Sequence, residues 1–120
     1  MPAASFLAPG SATVGDFDRL DLRVGRILEA APLEGARRPA YRLNIDFGAA
    51  VERRSSAQLT KIYPRADELV GRLVIAVVDF PARRVAGFRS EVLVLGAVAD
   101  DGEVPPTSVD DRAEPGQRVG

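Results

Sequence analysis

A chain of 120 residues has room for one hydrophobic core, not for a substrate domain beside a cofactor domain. It contains no cysteine and no histidine, which excludes disulfides, thiol nucleophiles, imidazole bases and the usual zinc ligands. Net charge is −1, yet residues 37–89 carry eleven bases against five acids between acidic flanks, a distribution that suits a polyanionic ligand. With no convincing carboxylate pair either, the chain is expected to be a binding protein, not an enzyme, with no cofactor and no metal. The longest strongly apolar run, Leu73 to Val78, is too short to cross a bilayer, and the N-terminus lacks a basic segment followed by an apolar one. A cytoplasmic protein without membrane insertion is expected.

Residues 1–15 hold two prolines, two glycines and several small residues without a sustained period, so they read as a flexible N-terminal arm on a domain spanning 16–120. Asp16 to Asp21 is expected to form one helical turn capped by Asp16, with Phe17 and Leu20 on one face. Leu22 to Glu29 alternates as a strand until just after Gly25, where a bulge or sharp bend is expected. Pro32 to Pro39 is a loop carrying Arg37 and Arg38. Tyr41 to Phe47 alternates strictly, which turns Tyr41, Leu43, Ile45 and Phe47 to the core and Arg42, Asn44 and Asp46 outward. Gly48 opens a turn, and Glu52 to Ala57 returns as a strand. Gln58 to Val70 reads as two short helices broken at Pro64, with Leu59, Ile62, Ala66 and Leu69 on one stripe.

Two β-branched runs follow, Arg72 to Asp79 and Glu91 to Leu95, joined by a basic loop that bears Arg83, Arg84, Phe88, Arg89 and Ser90. Beyond residue 98 the chain is acidic and holds Pro105, Pro106 and Pro115, so a last strand must be short or at an edge. The count gives an all-β, five-stranded Greek-key barrel with a short helical insertion between strands 3 and 4. An OB barrel and an SH3-like barrel both fit that pattern.

The arginines of the loop offer phosphate contacts, Ser90 a hydrogen bond, and Phe88 a stacking surface or a plug for the barrel end. Ser55, Ser56 and Gln58 either cap the expected helix or line a ligand cleft. Arg53, Arg54 and Lys61 extend the basic surface, and Asp79 is placed to pair with Arg83.

Four segments, Asp16–Gly25, Leu43–Gly48, Ser55–Leu59 and Phe80–Gly96, closely resemble in order and spacing the CsaA-type proteins of the tRNA-binding OB-domain family. That family is also represented at the C-terminus of bacterial methionyl-tRNA synthetase. The resemblance implies a five-stranded OB fold, a homodimer formed through the N-terminal extension and C-terminal strands, and tRNA bound by shape. It also implies a chaperone role in protein export, with unfolded or presecretory polypeptides as partners. The RNA-binding residues expected on this basis are Arg83, Arg84, Arg89 and Ser90, with Ser55, Ser56, Gln58, Arg37 and Arg38 beside them. Tyr41, Phe80 and Phe88 are the expected peptide contacts. The alternative is a dedicated chaperone with no physiological tRNA binding. The chain departs from the family at Asp79, commonly asparagine, at Ala82, where a second proline is usual, and at Val104–Thr107, where two prolines interrupt the last strand.

Overall fold

The computed structural model describes residues 5–120; residues 1–4 of the expected arm lie outside the described residues. Strand β2 (Tyr41–Asp46) is as its alternation dictates: Tyr41, Leu43 and Ile45 are buried, Phe47 follows them inward, and Arg42 is exposed. On one side β2 pairs antiparallel with β3 (Glu52–Ala57), from Tyr41–Ala57 to Asp46–Glu52. On the other it pairs with the second half of β1 (Leu22–Pro32). The first half of β1, Leu22 to Arg26, pairs instead with β4 (Leu73–Val77). One long strand thus serves two neighbours in succession, which curls the sheet into a barrel. The sheet order is β3-β2-β1-β4-β7, with β7 reduced to Leu93–Val94. This is the expected all-β OB barrel, and Ile27, Leu43, Ile45, Leu59, Leu69 and Val74 fill it.

The curl depends on Gly25. A Cβ there would stand 2.5 Å from Ile45 Cγ2 and 2.8 Å from Phe47 Cε1, so only glycine lets β1 lie this close to the β2 side chains. The bulge itself is not beside Gly25, as the sequence suggested, but between Ile27 and Glu29, where the register with β2 shifts. Leu28 is the extra residue, outward at 39% exposure next to the buried Ile27, and the shift brings Ala30 rather than Glu29 against the core.

Other local expectations are corrected. Helix α1 spans Val14–Asp18, and its N-cap is Thr13 rather than Asp16. Asp16 closes the capping box from the third position: its N–H donates to Thr13 Oγ1 at 3.2 Å, and its Oδ2 accepts from the Thr13 N–H at 2.8 Å. The two helices expected between Gln58 and Val70 reduce to one 3₁₀ turn, Ala66–Leu69. The amides of Lys61 and Ile62 instead donate to the buried Glu103 carboxylate at 2.8 and 3.1 Å, and Pro64 has no amide to contribute. Leu59 and Leu69 stay buried and Ala66 packs against the core half-buried, while Ile62 is left 43% exposed, so the anticipated stripe loses Ile62.

The basic loop is itself a hairpin, β5 (Arg83–Val85) and β6 (Phe88–Ser90). Its tip, Ala86-Gly87, has φ of 51° and 79°, the mirror-image turn whose twist suits a tight hairpin. The prolines behave as expected, allowing only an isolated bridge, Gly96–Pro106, in that region. Residues 116–119 then run beside the start of β1, with Gly116 N–H on the Val24 carbonyl at 2.8 Å and Val24 N–H on that of Gln117 at 2.9 Å.

Candidate nucleic-acid interface

The hairpin folds back against β3 and completes the barrel wall. Arg54 N–H donates to Glu91 Oε1 at 3.0 Å, Ser56 N–H to Ser90 Oγ at 3.1 Å, and Ser55 Oγ to the Val92 carbonyl at 3.0 Å. Backbone bonds from Glu91 and Val92 to the Arg54 carbonyl add to this seam. Because facing residues of a hairpin share a side and successive residues alternate, Arg83, Val85, Phe88 and Ser90 lie on one face and Arg84 and Arg89 on the other.

That parity builds a groove. Arg83 and Val85 form one bank, the loop residues Arg37 and Arg38 the other, and Ser56 and Gln58 at the end of β3 form the floor, around a cavity of about 390 Å³. Three guanidinium groups and two neutral polar side chains line it, with no carboxylate. The Arg38 guanidinium also donates to the Asp101 carbonyl at 3.0 Å, fixing its bank to the C-terminal segment. A groove so charged attracts phosphates along a nucleic-acid backbone.

Five of the nine expected RNA-binding residues therefore converge: Arg37, Arg38, Ser56, Gln58 and Arg83. Arg84 and Arg89 are exposed but project from the opposite face of the hairpin. Arg84 donates to the Gly87 carbonyl at 3.0 Å, and Arg89 stands 3.9 Å from Glu91. Ser55 is corrected to a seam residue, 1% exposed with its hydroxyl on the Val92 carbonyl; Ser90 accepts the Ser56 N–H in the same seam and, at 6% exposure, lines the hollow beside Arg83 and Phe80. The alternative of capping a following helix also falls, since β3 leads into turns. Asp79 does not pair with Arg83; its Oδ1 accepts the Asp21 N–H at 3.0 Å.

Of the expected peptide contacts, Tyr41 is corrected, because the ring is buried and its hydroxyl donates to the Tyr63 carbonyl. Burial, reinforced by the nearby carboxylates of Glu68, Glu103 and Asp67, raises its phenol above the ordinary tyrosine pKa. Phe80 is half-exposed beside Leu93 in an adjoining hollow of about 270 Å³ that shares Ser56, Arg83 and Leu93 with the groove. Phe88 lines a third cavity, with the Arg54 guanidinium 4.9 Å from its ring centre. Arg42, Asn44 and Arg54 share that cavity and were not singled out as ligand contacts. The outward parity of Arg42 and Asn44 in β2 was the available signal.

A protein-family model described as "Putative tRNA binding domain" matches residues 22–118. The chain belongs to that tRNA-binding domain family. Methionine–tRNA ligase of Neisseria meningitidis serogroup B is 36% identical over 110 residues, which is 91% of this chain and only 16% of the ligase. Among solved structures, chaperone CsaA of Bacillus anthracis superposes with a TM-score of 0.85 at 44% identity, covering 92% of this chain and 100% of that one. The CsaA chaperone protein of Picrophilus torridus gives 0.81 and 44%, over 91% and 99% of the two chains. Within the tRNA-binding domain family the chain is of the CsaA type, and the OB barrel is the fold its relatives share.

Proposed function

We propose that this protein is a non-catalytic tRNA-binding module of the CsaA type, cytoplasmic and dimeric, with the residues before α1 serving as an arm. The observation that carries the reading is the carboxylate-free groove in which Arg37, Arg38, Arg83, Ser56 and Gln58 meet. The arginines contact phosphates and the neutral pair hydrogen-bonds the backbone, so recognition follows the shape of the RNA. Ser55 and Tyr41 support the walls and do not touch the ligand, while Ser90 offers its hydroxyl at the margin of the groove, beside Arg83 and Ser56. Arg84 and Arg89 add charge from the far side of the hairpin.

Filter binding of bulk tRNA across a salt series tests this. Three phosphate contacts contribute about 2.7 to the steepness of log affinity against log salt, and the triple variant Arg37→Gln/Arg38→Gln/Arg83→Gln loses that share. An affinity independent of salt, or a slope the triple variant leaves alone, sinks the reading. The same titration run with light scattering checks the dimer, which a monomer at micromolar concentration would refute.

A second reading, polypeptide binding in the manner of a chaperone for protein export, is favoured by the hollow where Phe80 and Leu93 are 44% and 42% exposed. Such paired apolar exposure suits an unfolded chain. It predicts that Phe80→Ser weakens suppression of client aggregation while tRNA binding is kept; an unchanged suppression would discard it.

A further inference from the structure

The cavity of about 420 Å³ under Phe88 differs from the arginine groove in carrying charges of both signs. Phe88 on the hairpin, Leu28 on β1, and Val70 just past the 3₁₀ turn give it apolar wall. Leu28 and Val70 are 39% and 48% exposed, so they are packed against little, and the alternation of β1 that buries Ile27 is what aims Leu28 here. The Arg54 guanidinium lies over the Phe88 ring and shares the cavity with it, extending a flat, stackable surface. The polar lining is mixed in sign, with Arg42 and Arg54 set against Glu29 and Asp67. Asn44 gives its Nδ2 to Glu52 at 2.7 Å, which leaves its carbonyl oxygen as an acceptor.

A groove whose charged side chains are all arginines suits a phosphate backbone, and a slot with stackable walls and an acceptor-rich rim suits a base. We infer that this cavity is a subsite for one unpaired nucleobase of a bound RNA. The base stacks on the Phe88–Arg54 surface against Leu28 and Val70. Its exocyclic amino group donates to Glu29, Asp67 or Asn44, and Arg42 takes the adjoining phosphate. A volume of this size accommodates a single nucleotide. Adenine, cytosine and guanine carry such an amino group on an accessible edge and uracil does not, so the subsite discriminates against uridine. The inference rests on the RNA-binding reading above and names what that reading leaves open, namely where a base is taken.

Fluorescence anisotropy with labelled hexamers of adenylate and uridylate tests it, with bulk tRNA titrated in parallel. The adenylate hexamer is expected to bind several-fold tighter, and 2-aminopurine placed within it to be quenched on binding. Phe88→Ala is expected to weaken adenylate binding about tenfold. Glu29→Ala/Asp67→Ala, which alters only exposed side chains, should narrow the preference for adenylate, and adding Asn44→Ala should erase it. Equal binding of the two hexamers, absence of quenching, or a preference that survives the triple variant overturns the inference while tRNA binding stands. If tRNA itself fails to bind, the RNA-binding reading falls, and the subsite with it.

Discussion

Replacing Glu103 by alanine is expected to destabilise the protein by about 2–5 kcal/mol. The residue is 5% exposed, and its Oε1 accepts two backbone amides, Lys61 at 2.8 Å and Ile62 at 3.1 Å. Removing the acceptor strands both donors, each at about 1–3 kcal/mol, and the upper end of the sum is trimmed where water reaches the vacated space. Glu103→Gln keeps an oxygen in the same place and loses only the charge on the acceptor, so it is expected to cost about 1 kcal/mol. Urea denaturation followed by circular dichroism reads the difference as a shift in midpoint at constant slope. An alanine variant within about 0.5 kcal/mol of the parent, or a glutamine variant as damaged as the alanine one, would refute the reasoning. The consequence reaches the groove. Val104 N–H, next to Glu103, bonds the Gln58 carbonyl at 3.0 Å, and Asp101 holds Arg38. The alanine variant therefore loses tRNA affinity as well as stability.

Gly25→Ala pushes a methyl into Ile45 and Phe47 at 2.5 and 2.8 Å; overpacking of this kind costs about 1–3 kcal/mol, and a thermal melt should show a fall of roughly 5–10 °C. A melting temperature unchanged by the substitution would show that β1 has slack the packing denies. At the surface, the Arg112 guanidinium and backbone amide bond the Asp110 carboxylate and hold its pKa down to about 2, below the ordinary 3.8. Because the folded value is the lower one, whatever this pair adds to stability is present above the ordinary value and disappears as pH falls through about 2. An NMR titration of the Asp110 carboxyl should therefore move toward the ordinary range in Arg112→Ala; no movement would reassign the cause.

What could be read from the sequence depended on how far the deciding partner lies along the chain. The period of β2 is set by neighbours two residues apart, and Tyr41, Leu43, Ile45 and Phe47 turn inward as that period predicts. Gln58 to Val70 carried a helical stripe, but the donors of that segment are claimed by Glu103, more than forty residues on. Local periodicity cannot register a competitor so remote. Gly25 was recognisable as special, yet its reason, the side chains of Ile45 and Phe47 beneath it, exists only once the strands pair. The site divides in the same way. Arg37 and Arg38 stand on a connection, where polar side chains have little choice but to face out, whereas Arg83 stands in β5 and only the hairpin's register separates it from Arg84. Ser55 and Ser56 differ only in parity, and the pairing with β2 assigns one hydroxyl to the interior and the other to the groove. Tyr41 shows a polar tip spent inside the fold, a use indistinguishable in sequence from one at a ligand.

The seam between β3 and the hairpin bears on how such a barrel can change over generations. A ladder of backbone bonds tolerates almost any side chain, so most of this sheet can drift in sequence and remain closed. Here three of the closing bonds need a side-chain oxygen, from Ser55, Ser90 or Glu91. One nucleotide change can remove such a bond, and the hairpin that carries Arg83 and Phe88 is then held less firmly to the face it completes. The barrel's closure is in this sense inherited through a few side chains, and those same residues limit how freely the binding face can be rebuilt.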